Sequence, residues 1–211
     1  MRTLSTFVQS DILGGTSQLP LERLRETIIG RNRTQDRIVS PEDAQYFCLP
    51  FDFVKKAYAE AFSYYLYVYV LPVNAPTPLS LSQINEIRDA LEPKLLMGYS
   101  LTVADPVYVP VTLTLTVYLL PGYNKQGAQI IATKVIEDYL NPLKNGEFGE
   151  GVKRSKLTTL LLQSIQGAQN VVYDTLERSG YPDFPNDLAF LPSEVVDYPG
   201  STITVQILGG I

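Results

Sequence analysis

The chain has no histidine and one cysteine, Cys48, among its 211 residues. Without an imidazole, a Ser–His–Asp or Cys–His relay has no proton carrier, and without His and Cys in number the usual zinc sites have no ligands. One cysteine closes no internal disulfide. Following Phe47 on a segment that reads as helix, Cys48 is expected to be a buried small hydrophobe rather than a nucleophile. Long apolar runs are missing as well. The best, residues 64–71, holds eight residues of which four are Tyr, against the roughly 20 that span a bilayer, so no membrane span is expected. The N-terminus lacks a compact apolar stretch ending in a small-residue cleavage site, which implies synthesis in the cytoplasm. A basic excess is absent too: 17 Lys and Arg stand against 22 Asp and Glu, a net charge of −5, which argues against a general grip on nucleic acid. What remains is a chain with 45% apolar and 18% charged residues, able to bury a core and long enough for one large domain or two small ones.

Residues 1–18 mix Ser, Thr and Gln with Gly14 and Gly15 and read as an arm. Pro20, the row Leu21, Leu24, Ile28 and a terminating Gly30 predict a short helix. Ser40-Pro41-Glu42-Asp43 predicts a second helix start, ending near Leu49-Pro50. From Tyr64 the period becomes two, with Leu66, Val68 and Val70 on one strand face and Tyr65, Tyr67 and Tyr69 on the other. Ser80 with Gln83 predicts a capping box ahead of the stripe Ile84, Ile87, Leu91, which Pro93 stops. Residues 107–120 read as one long strand whose Val and Leu residues alternate with Tyr, Pro and Thr. A helix over 124–140 is expected to bury Ala128, Ile131, Val135 and Tyr139. Another, capped by Ser155, carries Leu157, Leu160, Leu161 and Ile165 and closes at Gly167. Residues 171–176 and 202–208 read as strands.

A repeat runs through this pattern at an offset of 49 residues. Leu66, Val68, Val70, Leu71 and Pro72 match Leu115, Val117, Leu119, Leu120 and Pro121, while Asp89, Leu91 and Pro93 match Asp138, Leu140 and Pro142. Each copy is a strand, a Leu-Pro turn, a helix and a Leu-x-Pro stop. Two copies are too few for a solenoid. A helix after a strand must bury its stripe on a sheet, so the expected fold is α+β: two consecutive small units with helices on one sheet face, after a short helical N-terminal segment. The expected divisions are 1–56 for the arm and helical segment, 57–106 for the first unit and 107–211 for the second, which holds a Pro-rich acidic insertion at about 179–200.

Few residues suggest chemistry. Gly146, Gly149 and Gly151 have the wrong order for a dinucleotide fingerprint, follow a helix, and are interspersed with Glu147 and Glu150, which would repel phosphate. Asp183, Asp187, Glu194 and Asp197 offer oxygen ligands, but their spacing matches no EF-hand, and the interspersed prolines suggest an extended surface segment. Nothing selects a carboxylate pair for glycoside hydrolysis. No catalytic residue, metal or cofactor is expected. The tyrosines Tyr65, Tyr67 and Tyr69 suit an interface. Arg23, Arg25, Arg31, Arg33 and Arg37 crowd one short stretch, whereas no Lys or Arg follows Arg178. Either charge cluster is ordinary solvated surface or a complementary contact surface, and we read both as partner contacts.

Residues 33–37 (RTQDR) and 39–43 (VSPED) resemble the R-T-x-x-R-x-V-T-x-E-D-Y segment of baseplate J-like proteins. Residues 53–60, 70–73, 91–94 and 98–103 resemble that family's next portion. Residues 107–123, 139–143 and the 155–167 helix resemble its last, so the likeness runs in order over about 21–176. It implies a wedge subunit of a contractile phage tail or related injection machine, located in the virion baseplate. Such subunits assemble around the tail hub with other wedge and hub proteins and copies of themselves, and their rearrangement helps trigger sheath contraction. It implies no catalytic residue. Family members carry a longer region ahead of the R-T-x-x-R segment, and residues 181–199 look like an insertion before the last strand. The competing readings are a tail-fibre-associated or non-viral binding module and an acid-only glycoside hydrolase.

Overall fold

The computed structural model describes residues 36–178 and 187–211. The expected arm, the helix over 20–30 and the middle of the acidic stretch lie outside these residues. Helix α1 (Pro41–Cys48) opens on a capping box: Asp43 donates its N–H to Ser40 Oγ at 3.4 Å, and its Oδ2 accepts from the N–H of Ser40 at 2.9 Å and of Val39 at 3.1 Å. Those bonds satisfy donors that a helix start otherwise leaves bare. Ala44 and Cys48 are buried beneath it, and burial pushes the Cys48 thiol up to about 12, where it is not a nucleophile at neutral pH.

Strands β1 (Val54–Phe62) and β2 (Tyr65–Pro72) form an antiparallel hairpin that turns at Ser63, φ 57°. Helix α2 (Leu81–Leu91), with the expected Ser80–Gln83 capping box, runs through a 3-10 turn at Glu92–Lys94 and returns the chain to β3 (Ser100–Ala104), parallel to β2. The sheet order is β1-β2-β3. Periodicity alone marked no strand at β1, because Lys55, Lys56, Ala57, Ala59, Glu60 and Ala61 are weak strand formers. Pairing with β2 overrides that preference.

The single strand expected over 107–120 is two strands, β4 (Val107–Val109) and β5 (Val111–Leu119). Pro110 has no N–H for a ladder, so the chain changes sheet there. β4 pairs with β7 (Glu194–Val196) in a small parallel sheet, and β5 is the centre of a sheet ordered β6-β5-β8, flanked by β6 (Ala168–Arg178) and β8 (Thr202–Gly209). Val107 is accordingly exposed, and the buried row begins at Val109.

Helix α3 (Lys125–Leu140) is capped by Asn124 Oδ1, which accepts from the N–H of Gln126 and Gly127. Its buried face differs from the expected one: Ala128, Ala132, Ile136, Tyr139 and Leu140 face the sheet, while Ile131 is exposed and Val135 only half-buried. The small residues Ala128 and Ala132 let the helix approach closely, a preference that side-chain hydrophobicity does not reveal. Helix α4 (Arg154–Ser164) starts at Lys153, so Ser155 lies inside the first turn and is not the cap. Its first donors are met from elsewhere in the chain: the Lys153 N–H by Tyr139 Oη at 3.0 Å and the Arg154 N–H by Asp187 Oδ1 at 2.8 Å.

The described residues thus form an α+β fold of four α-helices and eight strands. Both three-stranded sheets have a central strand with one antiparallel and one parallel neighbour. Leu91 and Leu140, one repeat apart, are the last residues of α2 and α3, and both are buried. The copies diverge afterwards. α2 is followed by β3, whereas α3 is followed by α4 and β6. One hydrophobic cluster draws on residues between Ile38 and Val103, α1 included, and the other on residues between Val111 and Val196. Leu91→Ala and Leu140→Ala are each expected to cost about 2–5 kcal/mol, the range for emptying a buried leucine site; urea unfolding of the purified chain measures the loss.

Candidate interaction surface

The helix-covered face of the first sheet buries Leu66, Val68 and Val70. Its opposite face carries Tyr65, Tyr67 and Tyr69. The register sets Phe62, Glu60 and Tyr58 of β1 beside these three in turn, giving an aromatic face that runs the length of the sheet. Sequence reading placed the three β2 tyrosines together and missed their β1 neighbours. Lys56, Tyr58, Glu60 and Phe62 share no apolar character that would mark them in the sequence, and they join the face only through strand register.

One half of this face meets the loop around Phe148. Tyr58 lies between Tyr69 and Phe148, with ring centroids 6.4 Å and 5.8 Å away. Lys56 Nζ donates to the Gly146 carbonyl and to Glu147 Oε1, both at 2.7 Å. Burial and then the Glu60 carboxylate push the Tyr58 and Tyr69 phenols above their usual range, and Tyr69 Oη donates to Glu60 at 3.4 Å. The other half is bare: Phe62 is 75% and Tyr65 50% exposed, and the Tyr65 ring leans on Tyr67 at 6.2 Å.

The acidic residues have separate local roles. Glu194 is buried rather than lying on an extended surface segment; it pairs with Arg178 and accepts the Leu191 N–H at 2.6 Å. Asp187 accepts from the start of α4, and Asp197 Oδ1 accepts the Gly200 N–H at 3.2 Å. Asp183 is outside the described residues. The glycine run explains itself here. Gly149 (φ +65°) donates its N–H to the Glu194 carbonyl at 2.9 Å, and a Cβ on Gly151 would collide with the Leu188 carbonyl. These glycines let the 188–194 backbone lie directly against the loop. Glu194→Ala should cost about 3–5 kcal/mol by removing the carboxylate paired with Arg178, with Glu194→Gln costing less, as read by thermal or urea unfolding.

Of the arginine cluster, Arg37 is described and exposed; Arg23, Arg25, Arg31 and Arg33 lie outside the described residues. Glu147 and Glu150 share a cleft of only about 10 Å³, and each is tied to a lysine, Lys56 and Lys156. That cleft has no room for a sugar. Among the described residues no three His, Cys, Asp or Glu side chains group as metal ligands, and no helix is long and apolar enough to cross a membrane.

A cavity of about 120 Å³ is lined by Pro76, Tyr108, Asn141, Pro142, Val196 and Asp197, among others. The Tyr108 hydroxyl is buried without a hydrogen-bond partner; burial, then Asp105 and Asp197, push it up to about 12. The unfolded chain loses this proton near pH 10 and the folded one near 12, so the unfolded state binds fewer protons in that window and stability falls as pH rises through it. Tyr108→Phe is expected to be neutral or stabilising by up to about 1 kcal/mol at pH 7 and to lessen the alkaline loss, as read from urea midpoints at neutral and alkaline pH.

No family model matches the chain, and no curated protein matches it. Among solved structures it is similar to a chain in the cryo-EM structure of the anti-feeding prophage (AFP) baseplate, 6-fold symmetrised. The TM-score is 0.63 and the identity 15%, covering 91% of this chain and 43% of that one. At that identity the likeness is one of fold, and this chain spans less than half the length of the baseplate chain it matches.

Proposed function

We propose that the chain is a structural, non-enzymatic subunit of the baseplate of a contractile tail or related injection machine. The observation that carries this reading is the fold shared with a baseplate chain over 91% of the present chain. The ordered sequence resemblance to baseplate J-like proteins over about residues 21–176 points the same way. Within that reading the chain is a wedge component, made in the host cytoplasm and located in the virion. It joins other wedge and hub proteins and copies of itself, and takes part in the rearrangement that triggers sheath contraction. The physical features suit such a role. The paired carboxylates near the glycine loop are neutralised by lysines, while a broad aromatic sheet face stands open where a subunit contact needs apolar area with polar tips.

Deleting the coding sequence from its genome and imaging the particles by electron microscopy tests this. Tubes and sheaths lacking assembled baseplates, restored when the chain is supplied in trans, are expected. Particles with complete baseplates that contract normally in its absence would overturn the reading.

A further inference from the structure

A second apolar surface lies where the described chain begins. Ile38 runs beside Leu95 as a parallel bridge and donates its N–H to the Lys94 carbonyl at 2.9 Å. With Val39, Pro41, Leu96 and Tyr99 they line a shallow groove of about 40 Å³, and no Lys, Arg, Asp or Glu is among its lining residues. Ser40, also in the lining, is engaged in the capping box of α1. The surface continues beyond the groove: the Tyr64 ring meets the Tyr99 ring edge-on at 6.4 Å, and Met97 lies in the turn that the Tyr99 N–H closes on the Leu96 carbonyl. Val39 is 68% exposed, Tyr64 70% exposed and Met97 fully exposed. Contiguous apolar surface of this kind is unfavourable in water and marks a contact.

The chain itself supplies a matching surface. Residues 1–35 precede the described part, whose opening residues Ile38 and Val39 form one wall of the groove. In that preceding stretch Leu21, Leu24 and Ile28 are spaced for one helix face, with Glu22, Arg23 and Glu26 for the opposite one. The residues between, 30–37, hold a glycine, polar side chains and three arginines but nothing apolar, the composition of a connection rather than of a core. Ten residues lead from Ile28 to Ile38, a reach of up to about 33 Å when extended, and closing so short a loop costs little chain entropy. Tethered this way, the leucine row meets the groove at an effective concentration on the order of millimolar. That favours it over a free partner of similar surface, and an uncharged groove gives a charged partner nothing to pair with.

We infer that the groove between Ile38-Val39 and Leu96-Tyr99 is covered by residues 21–29 of the same chain, with Leu21, Leu24 and Ile28 turned onto it. The contact extends the first hydrophobic cluster, which Ile38 and Leu66 belong to and Leu95 packs against. It leaves Glu22, Arg23 and Glu26 facing outward. The inference does not depend on the baseplate reading, since it concerns how the chain completes its own first unit.

Amide hydrogen exchange of the purified full chain, read by mass spectrometry, tests the contact. The amides of 21–29 are expected to exchange at least tenfold more slowly than in a synthetic peptide of the same sequence, at every protein concentration. Leu24→Glu with Ile28→Glu should remove that protection and speed exchange at 95–99, while the amides of β2 stay as in the wild type. The reciprocal pair Val39→Ser with Leu96→Ser, both at exposed positions, should free 21–29 and likewise leave β2 unchanged. Because the chain has no tryptophan, Met97→Trp gives a single reporter at the edge of the patch. Its emission should be blue-shifted, and should move to the red when Leu24→Glu and Ile28→Glu are added. Exchange of 21–29 at the free-peptide rate leaves the groove to a foreign chain; protection that grows with protein concentration assigns it to the segment of a second copy; protection that survives the Val39 and Leu96 changes places the segment elsewhere. Any of the three overturns the inference.

Discussion

A three-stranded sheet can bury only one of its faces under a single layer of helices, and the treatment of the second face shapes this molecule. In both halves the central strand carries the buried row: Leu66, Val68 and Val70 in β2, and Val111, Leu113, Leu115, Val117 and Leu119 in β5. Their removal from water is the main stabilising term, and everything that flanks them is positioned by the need to complete that burial. In the second half the opposite face carries Thr112, Thr114 and Thr116, of which Thr116 is buried and hydrogen-bonded to Asp174 at 2.9 Å. In the first half it is aromatic, and half of it is covered by the loop around Phe148.

That loop links the elements. Its glycines receive the 188–194 backbone, Glu147 holds Lys56, and Glu150 holds Lys156. Arg178 at the end of β6 turns Glu194 inward and so draws β7 beside β4. Acids that look like a solvated tract in the sequence are thereby distributed among a helix start, a buried ion pair and a turn. Under the proposed assembly role, the open aromatic half of the first sheet is the surface best suited to contact, because it offers apolar area with polar tips.

Local chemistry made much of the fold legible in advance. Ser40 with Asp43, Ser80 with Gln83, and Asn124 announced helix starts because a capping bond is closed within a few residues. Alternation at β2 and β5 announced which face is buried because strand geometry leaves no other choice once the strand forms. Cys48 was legible as core because a lone cysteine following Phe47 on a helix behaves as a small hydrophobe, and it is buried. The repeat at an offset of 49 was visible because the same strand and helix stop recur, with Leu91 and Leu140 at equivalent ends.

Read linearly, the chain discloses the class of fold, the identity of most elements and the tyrosine face on β2. The rest required the chain to fold back on itself. β1 is built of weak strand formers and exists because β2 offers a ladder. Pro110 splits one apparent strand because two different sheets await its two halves, and α3 turns Ala132 and Ile136 inward because the sheet needs close approach at those positions. Glu194 became core only when Arg178 reached it, and Phe62, Glu60 and Tyr58 joined the tyrosines only through strand register. Capping, turns and alternation are short-range interactions that a linear reading captures; pairing, burial of charge and the choice among competing apolar faces are settled by partners distant in sequence, and so only by the tertiary structure.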